Sequence, residues 1–175
     1  FHAHTRAGEE RWVQATLFTI PGETAATPIF VCMDVDITER RQSVQSLEAS
    51  KRLLETIIDT VPMRVFWKDM DLRYLGCNPA LAHDAGKSDP REMIGRDDFD
   101  MAWAEQADLY RADDRQVIET GQAKISFDEP QTTPDGRRIW LRTSKVPLMD
   151  QSNRKIGVLG VYEDITQYKI GRAHV

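Results

Sequence analysis

The sequence predicts an α+β fold: a five-stranded antiparallel sheet with helices gathered on one face, preceded by a long helix and a separate hairpin. Three observations carry this. Residues 62–168 run strand, strand, short helices, long helix, then three strands. Residues 38–61, TERRQSVQSLEASKRLLETIIDTV, hold neither Pro nor Gly and are rich in helix formers. Finally, Gly8, Trp12 and Asp36 recur as Gly136, Trp140 and Asp164, each 128 residues further on. A common offset at three landmarks is the mark of an internal repeat.

Taken in order, residues 8–20 carry β-branched and aromatic side chains up to the turn pair Pro21-Gly22, and Pro28–Val35 follows as a second strand. A lone two-stranded hairpin is marginal in water, so this part is expected to be loosely held or to borrow a partner. Both copies of the repeat enter a helix through Asp-Ile-Thr. Asp36 with Glu39, and Asp164 with Gln167, have the acid-x-x-Glu/Gln spacing of an N-terminal cap. Residues 1–38 are therefore read as the last strands of a truncated upstream module, and 39–61 as the helix joining it to a whole module at 62–168.

On a heptad that helix places Ile37, Val44, Lys51 and Ile58 at a, and Arg40, Leu47, Leu54 and Val61 at d. Six of the eight are apolar, which suits a parallel two-helix seam and hence a homodimer through 37–61. An ordinary amphipathic helix packed on its own core has the same periodicity. Leu53 and Ile57 form a second short stripe off the seam.

In the whole module, Val65–Lys68 and Arg73–Cys77 read as strands joined at Met70-Asp71. Asn78-Pro79 caps and opens a short helix, and Asp89-Pro90 begins another turn. Ala102–Thr120 reads as the long helix, stopped by Gly121. Strands follow at Lys124–Glu129, Arg138–Leu148 and Ile156–Glu163, with turns at Pro134-Asp135-Gly136 and Asp150–Asn153. Both ends are expected to be cut. The tail 169–175 fits no structural pattern and, matching a translated frame of a common sequencing adapter, is expected to be read-through.

The stretches FWKDMDLRYLGCNPALA, MIGRDDFD, LYRADDRQVIETG, PDGRRIWLRTSKVPL and GVLGVYEDIT resemble the PAS sensor family, including its C-terminal PAC portion. The likeness covers about residues 50–168 in full, with the last two strands of an upstream copy in 1–38. It implies a cytoplasmic signal-sensing and dimerising module, of the kind found before a histidine kinase or diguanylate cyclase. An effector in cis is therefore an expected partner.

Composition sets outer limits. The chain has 175 residues, 41% of them hydrophobic, and a net charge of −5 with both signs mixed along it. That balance argues against a nucleic-acid partner. No window approaches the ~18 apolar residues of a membrane span. Cys32 and Cys77 sit singly in apolar strands and are expected to be buried thiols, with no zinc spacing.

The chain has no G-x-S-x-G, P-loop or HExxH, so no enzyme activity is expected. Asp97-Asp98 and Asp113-Asp114 read as solvated charge, because neighbours on a helix point about 100° apart. Binding is the stronger class. Alternation places Val65 and Trp67, then Tyr74 and Gly76, on the helix-facing side of the first hairpin. Trp103 and Tyr110 would face them, with Trp140, Arg142 and Ser144 on one later strand and Val158, Gly160 and Tyr162 on the next. With the cap Asn78, these residues could line a pocket for a flat or anionic ligand, or simply fill the core. The resemblance bears on cofactors too. GRDDFDMAW lacks the reactive Cys of flavin-adduct members, and the long helix lacks the His of haem-binding ones. Non-covalent FAD stays compatible, and the cofactor itself is not identified. Two functions follow as expectations: a ligand- or cofactor-dependent sensor, or a ligand-free dimerisation and relay module with a filled core.

Overall fold

Turn and cap chemistry sets the frame of the computed structural model, which describes residues 1–20 and 29–172, with side chains to Lys169. The expected turn at Pro21-Gly22, the strand start at Pro28 and the end of the tail lie outside the described residues. The chain divides into two compact units, with the boundary between Glu55 and Thr56.

The first unit is a three-stranded antiparallel sheet, β1 (His2–His4), β2 (Glu10–Ile20) and β3 (Ile29–Asp36), followed by most of helix α1 (Thr38–Thr60). The extra strand β1, seated on His2↔Trp12 and His4↔Glu10, means that the hairpin is not two-stranded as expected. Helix α1 is exposed from Glu39 to Ile57. Val44 (50%), Leu47 (72%) and Leu54 (60%) all face solvent, and so does Cys32, against the expectation of a buried thiol.

The second unit continues with β4 (Arg64–Asp69), β5 (Tyr74–Cys77), α2 (Pro79–Asp84), three short 3-10 turns, α3 (Ala107–Thr120), β6 (Lys124–Thr132), β7 (Arg138–Met149), β8 (Lys155–Asp164) and α4 (Thr166–Arg172). The five strands form one antiparallel sheet in the order β5-β4-β8-β7-β6. Two clusters make the core between sheet and helices, one around Phe66, Leu81, Met93, Trp103 and Leu141, the other around Leu72, Val117 and Val158. Helix α3 begins at Ala107 rather than Ala102, because Ala104–Gln106 is a 3-10 turn. Gly121, at φ 69°, ends it in the left-handed region where glycine carries no steric cost.

The repeat seen in the sequence is matched bond for bond. Val13 faces Asp36, Leu17 faces Cys32 and Ile20 faces Ile29. In the second unit, 128 residues on, Leu141 faces Asp164, Lys145 faces Gly160 and Leu148 faces Gly157. Gly8 and Gly136 turn at φ 83° and 81°, and their N–H groups donate to the carbonyls of Thr5 and Thr133.

The strand-to-helix junction is equally alike in the two places. The Trp12 N–H donates to Thr38 Oγ1 at 2.8 Å and the Trp140 N–H to Thr166 Oγ1 at 2.9 Å. Asp36 and Asp164 each accept the N–H of that Thr at 2.8 Å. A cation one turn into each helix covers the Trp ring, Arg41 at 4.0 Å and Lys169 at 3.8 Å.

Candidate functional site

Strand parity decides which side chains reach the space between sheet and helices. On β4, Phe66 and Lys68 turn inward and are buried, while Val65 and Trp67 lie on the other face. A bulge between Trp67 and Lys68 sets Trp67 opposite Gly76 but Lys68 opposite Tyr74. So Tyr74 points inward, whereas a Cβ at Gly76 would lie 2.3 Å from the Trp67 ring. On β7 the inward residues are Leu141, Thr143 and Lys145. Trp140 (37% exposed), Arg142 and Ser144 occupy the opposite face, against expectation. Arg142 pairs there with Asp128 at 3.1 Å. On β8 the expected parity is the observed one: Val158, Gly160 and Tyr162 are buried. Gly160 leaves room for the Phe66 ring, which a Cβ there would approach to 2.1 Å.

Asn78 is fully buried, but its amide is committed to the fold. It accepts from the Val65 and Leu81 N–H groups at 3.1 and 3.2 Å. It donates to the Ile58 and Met63 carbonyls at 3.1 and 2.8 Å. Asn78 thus ties the last turn of α1 to β4 and α2, with no polar atom left for a ligand. Of the thirteen residues proposed from sequence, Tyr74, Trp103, Tyr110 and Tyr162 line the space between sheet and helices. Gly160 admits Phe66 beside them.

The centre of the site was not expected from the sequence. Lys68, 1% exposed, reaches Asp98 at 2.6 Å and Asp114 at 2.7 Å. Lys145, also 1% exposed, lies 2.7 Å from the other oxygen of Asp114 and donates to the Tyr110 carbonyl at 3.0 Å. That Lys145–Asp114 approach is a close ion pair without aligned hydrogen-bond geometry. Asp98 also accepts from the Tyr74 hydroxyl at 2.8 Å and from Trp103 Nε1 at 3.3 Å. Two cations and two carboxylates so join β4, β5, β7, α3 and the turn Asp98–Asp100. Asp98 and Asp114, read from sequence as solvated, are buried. Neighbouring residues do point apart: Asp98 and Asp114 turn in to the two buried lysines, while Asp113, also buried against expectation, meets Lys124 at 2.6 Å.

The ionisation of these groups follows from that geometry. Burial alone would lower Lys68, but Asp114 and Asp98 outweigh it and hold the ammonium above the lysine range. Burial likewise works against Asp114, yet Lys68 and Lys145 keep its carboxyl below the usual range. Burial and then Asp98 push the Tyr74 hydroxyl well up. Beside the network, burial raises Glu129, with Lys145 only partly offsetting it.

One wall of the space is not paired. Glu129 Oε2, Gln131 Nε2 and Thr143 Oγ1 are buried without a hydrogen-bond partner. Thr143 lies near Glu129, and Gln131 near Tyr162, without closing a bond. The open volume lined by Glu129 and Gln131 is about 20 Å³, room for about one water. An isoalloxazine ring is larger than this space, so non-covalent FAD would require the aromatic lining to move. Among the described residues, no group of His, Cys, Asp or Glu is arranged to hold a metal ion.

Residues 58–169 match the sequence profile of the PAS fold, and the chain belongs to that family. It is similar to the aerobic respiration control sensor protein ArcB of Escherichia coli strain K12, 27% identical over 122 residues, 70% of this chain and 15% of that protein. It is also similar to the methanogenesis regulatory histidine kinase FilI of Methanothrix harundinacea, 30% identical over 125 residues, 71% of this chain and 14% of that protein. The chain therefore spans only a small part of these relatives. Among solved structures, VqmA bound to DPO superposes with a TM-score of 0.59 at 26% identity, covering 62% of this chain and 55% of that one. No helix among the described residues is long and apolar enough to cross a membrane.

Proposed function

We propose that this chain is the relay segment of a larger cytoplasmic sensor protein, in which residues 1–38 close one PAS copy and residues 62–168 form the next. Helix α1 carries the signal between them, and α4 leads toward an effector in cis; the segment itself is not catalytic. The observation that carries this reading is the strand-to-helix junction built twice, with the same Thr, Asp and Trp contacts at 128-residue spacing. The solvent-facing Val44, Leu47 and Leu54 support a parallel α1 pair in a homodimer. Sedimentation of the chain with and without Leu47→Glu tests the relay. A dimer that dissociates on substitution is expected, and a monomer in both forms overturns the paired helix.

A second reading, small-ligand binding in the second module, is favoured by the unpaired cavity groups of Glu129 and Gln131. Buried polar groups without partners are rare and costly. That VqmA is bound to DPO in its own structure is consistent with this reading.

A further inference from the structure

We infer that the cavity of the second module takes a small uncharged ligand of the amide class, whose carbonyl accepts from Gln131 and whose N–H is shared with Glu129. This rests on the ligand reading above and adds the chemistry that the site can accept. Three observations lead to it.

The first is charge. Lys68 spends its ammonium on Asp98 and Asp114, and Lys145 spends its own on Asp114 and the Tyr110 carbonyl. Among the described residues no buried cation is left over to receive an anion, and the wall an anion would meet carries Glu129 beside Asp114. Moving an unpaired charge into such a place costs several kcal/mol. A cation would need Glu129 ionised. Burial opposes that, and Asp113 and Asp114 on α3 oppose it further, with Lys145 and then Thr143 pulling the other way. An uncharged ligand avoids both penalties.

The second is the pattern of unmet hydrogen bonds. Gln131 Nε2 has a hydrogen to give, while Glu129 Oε2 and Thr143 Oγ1 lie buried without partners. All three residues are at least nine-tenths buried, at 2%, 6% and 1% exposure. Gln131 and Glu129 stand two apart on β6, so they share a face, and both line the cavity. A ligand meeting both needs an acceptor and a donor close together, which an amide supplies within one planar group. The third is size, since an open volume of about 20 Å³ favours an occupant of very few heavy atoms.

The test uses three probes of similar size on the full chain: formamide, formate and methylammonium at millimolar concentration. Each is followed by the NMR shifts of the backbone amides of residues 129 and 131, which survive every substitution below. Formamide is expected to give a saturable shift, and the two ions none. Gln131→Leu should weaken formamide binding about tenfold, the worth of one buried hydrogen bond. Gln131→Met, close to Gln in shape and without a donor, should weaken binding alike, so a folding defect in the leucine variant cannot mask the result. Formate or methylammonium binding as tightly as formamide would overturn the amide class while leaving the ligand reading in place. Saturation by none of the three would remove the ligand reading and this inference with it.

Discussion

The two hairpins of this protein share their register, their glycine turn, their Asp cap and their Trp–cation contact, yet they differ in what lies on their inner faces. In the second unit that face carries Leu141, Thr143, Lys145, Gly160 and Tyr162, all buried. At the matching places the first carries Val13, Ala15, Leu17, Cys32 and Asp34, and only Val13 is even partly covered. The comparison separates two layers of information. Turns, register and caps are local, and they form in both places because the residues that set them are present in both. The ion network is tertiary. It needs a lysine from β4, a carboxylate from α3 and another from a 3-10 turn, and the first hairpin carries Leu17 where the second has Lys145.

The largest expected effect comes from breaking what only the second unit has. Asp114→Ala leaves Lys68 and Lys145 buried without their shared carboxylate, at a cost of about 3–5 kcal/mol. Urea unfolding followed by hydrogen exchange should show that loss in Thr56–Lys169, with β2–β3 protection unchanged. Equal loss in both units would mean that they do not fold separately.

Next is the matched pair at Gly160 and Cys32. Gly160→Cys drives a side chain into the Phe66 ring and should cost about 1–3 kcal/mol. Cys32→Gly removes an exposed side chain from β3 and should cost less, about 0.5–1 kcal/mol. Melting midpoints of the two variants decide, and equal shifts would contradict the difference in packing.

Where the two hairpins are alike, the effects should be alike. Asp36→Ala and Asp164→Ala each remove an acceptor for the N–H of the first helical Thr, at about 0.5–2 kcal/mol. Hydrogen exchange at Thr38 and Thr166 should rise in the respective variant. A change at one junction only would show that the repeat is one of shape and not of energy.

The smallest effect is one of pH. Because Glu129 is raised in the folded state, the native protein holds a proton that the unfolded chain releases at a lower pH. Stability should therefore fall as pH rises from about 4.5 through the folded value. Asp114, being lowered, works oppositely: its contribution is present above the unfolded carboxylate range and is lost as pH falls through the folded value. Unfolding free energy against pH for Glu129→Gln should lack the first slope and keep the second.

These contrasts also explain what could be read in advance. Strand order, the Asn78-Pro79 and Asp-Ile-Thr caps, the Gly121 stop and the repeat all rest on residues acting within a few positions of themselves. The family resemblance followed from the same stretches. The site failed on parity. Trp67 and Trp140 are large aromatics and seemed the natural inward anchors, but both lie on the outer face, Trp140 under Lys169. With Phe66 and Leu141 as anchors instead, Lys68 and Lys145 fall inward two and four residues later. Two lysines at inward positions were the one signal for the network. The bulge that turns Tyr74 in and Gly76 out had no sequence marker. On β8 the aromatic did point inward, and there Gly160 and Tyr162 were placed rightly.

The buried ion network is the central claim, and its two lysines can be observed directly. Nitrogen-15 NMR of the lysine ammonium groups at neutral pH reports how fast their hydrogens exchange with water. Lys68 and Lys145 are expected to give slowly exchanging, protonated signals that vanish in Asp114→Ala, while the other lysines exchange fast. Fast exchange at all of them would contradict the network and the site built on it.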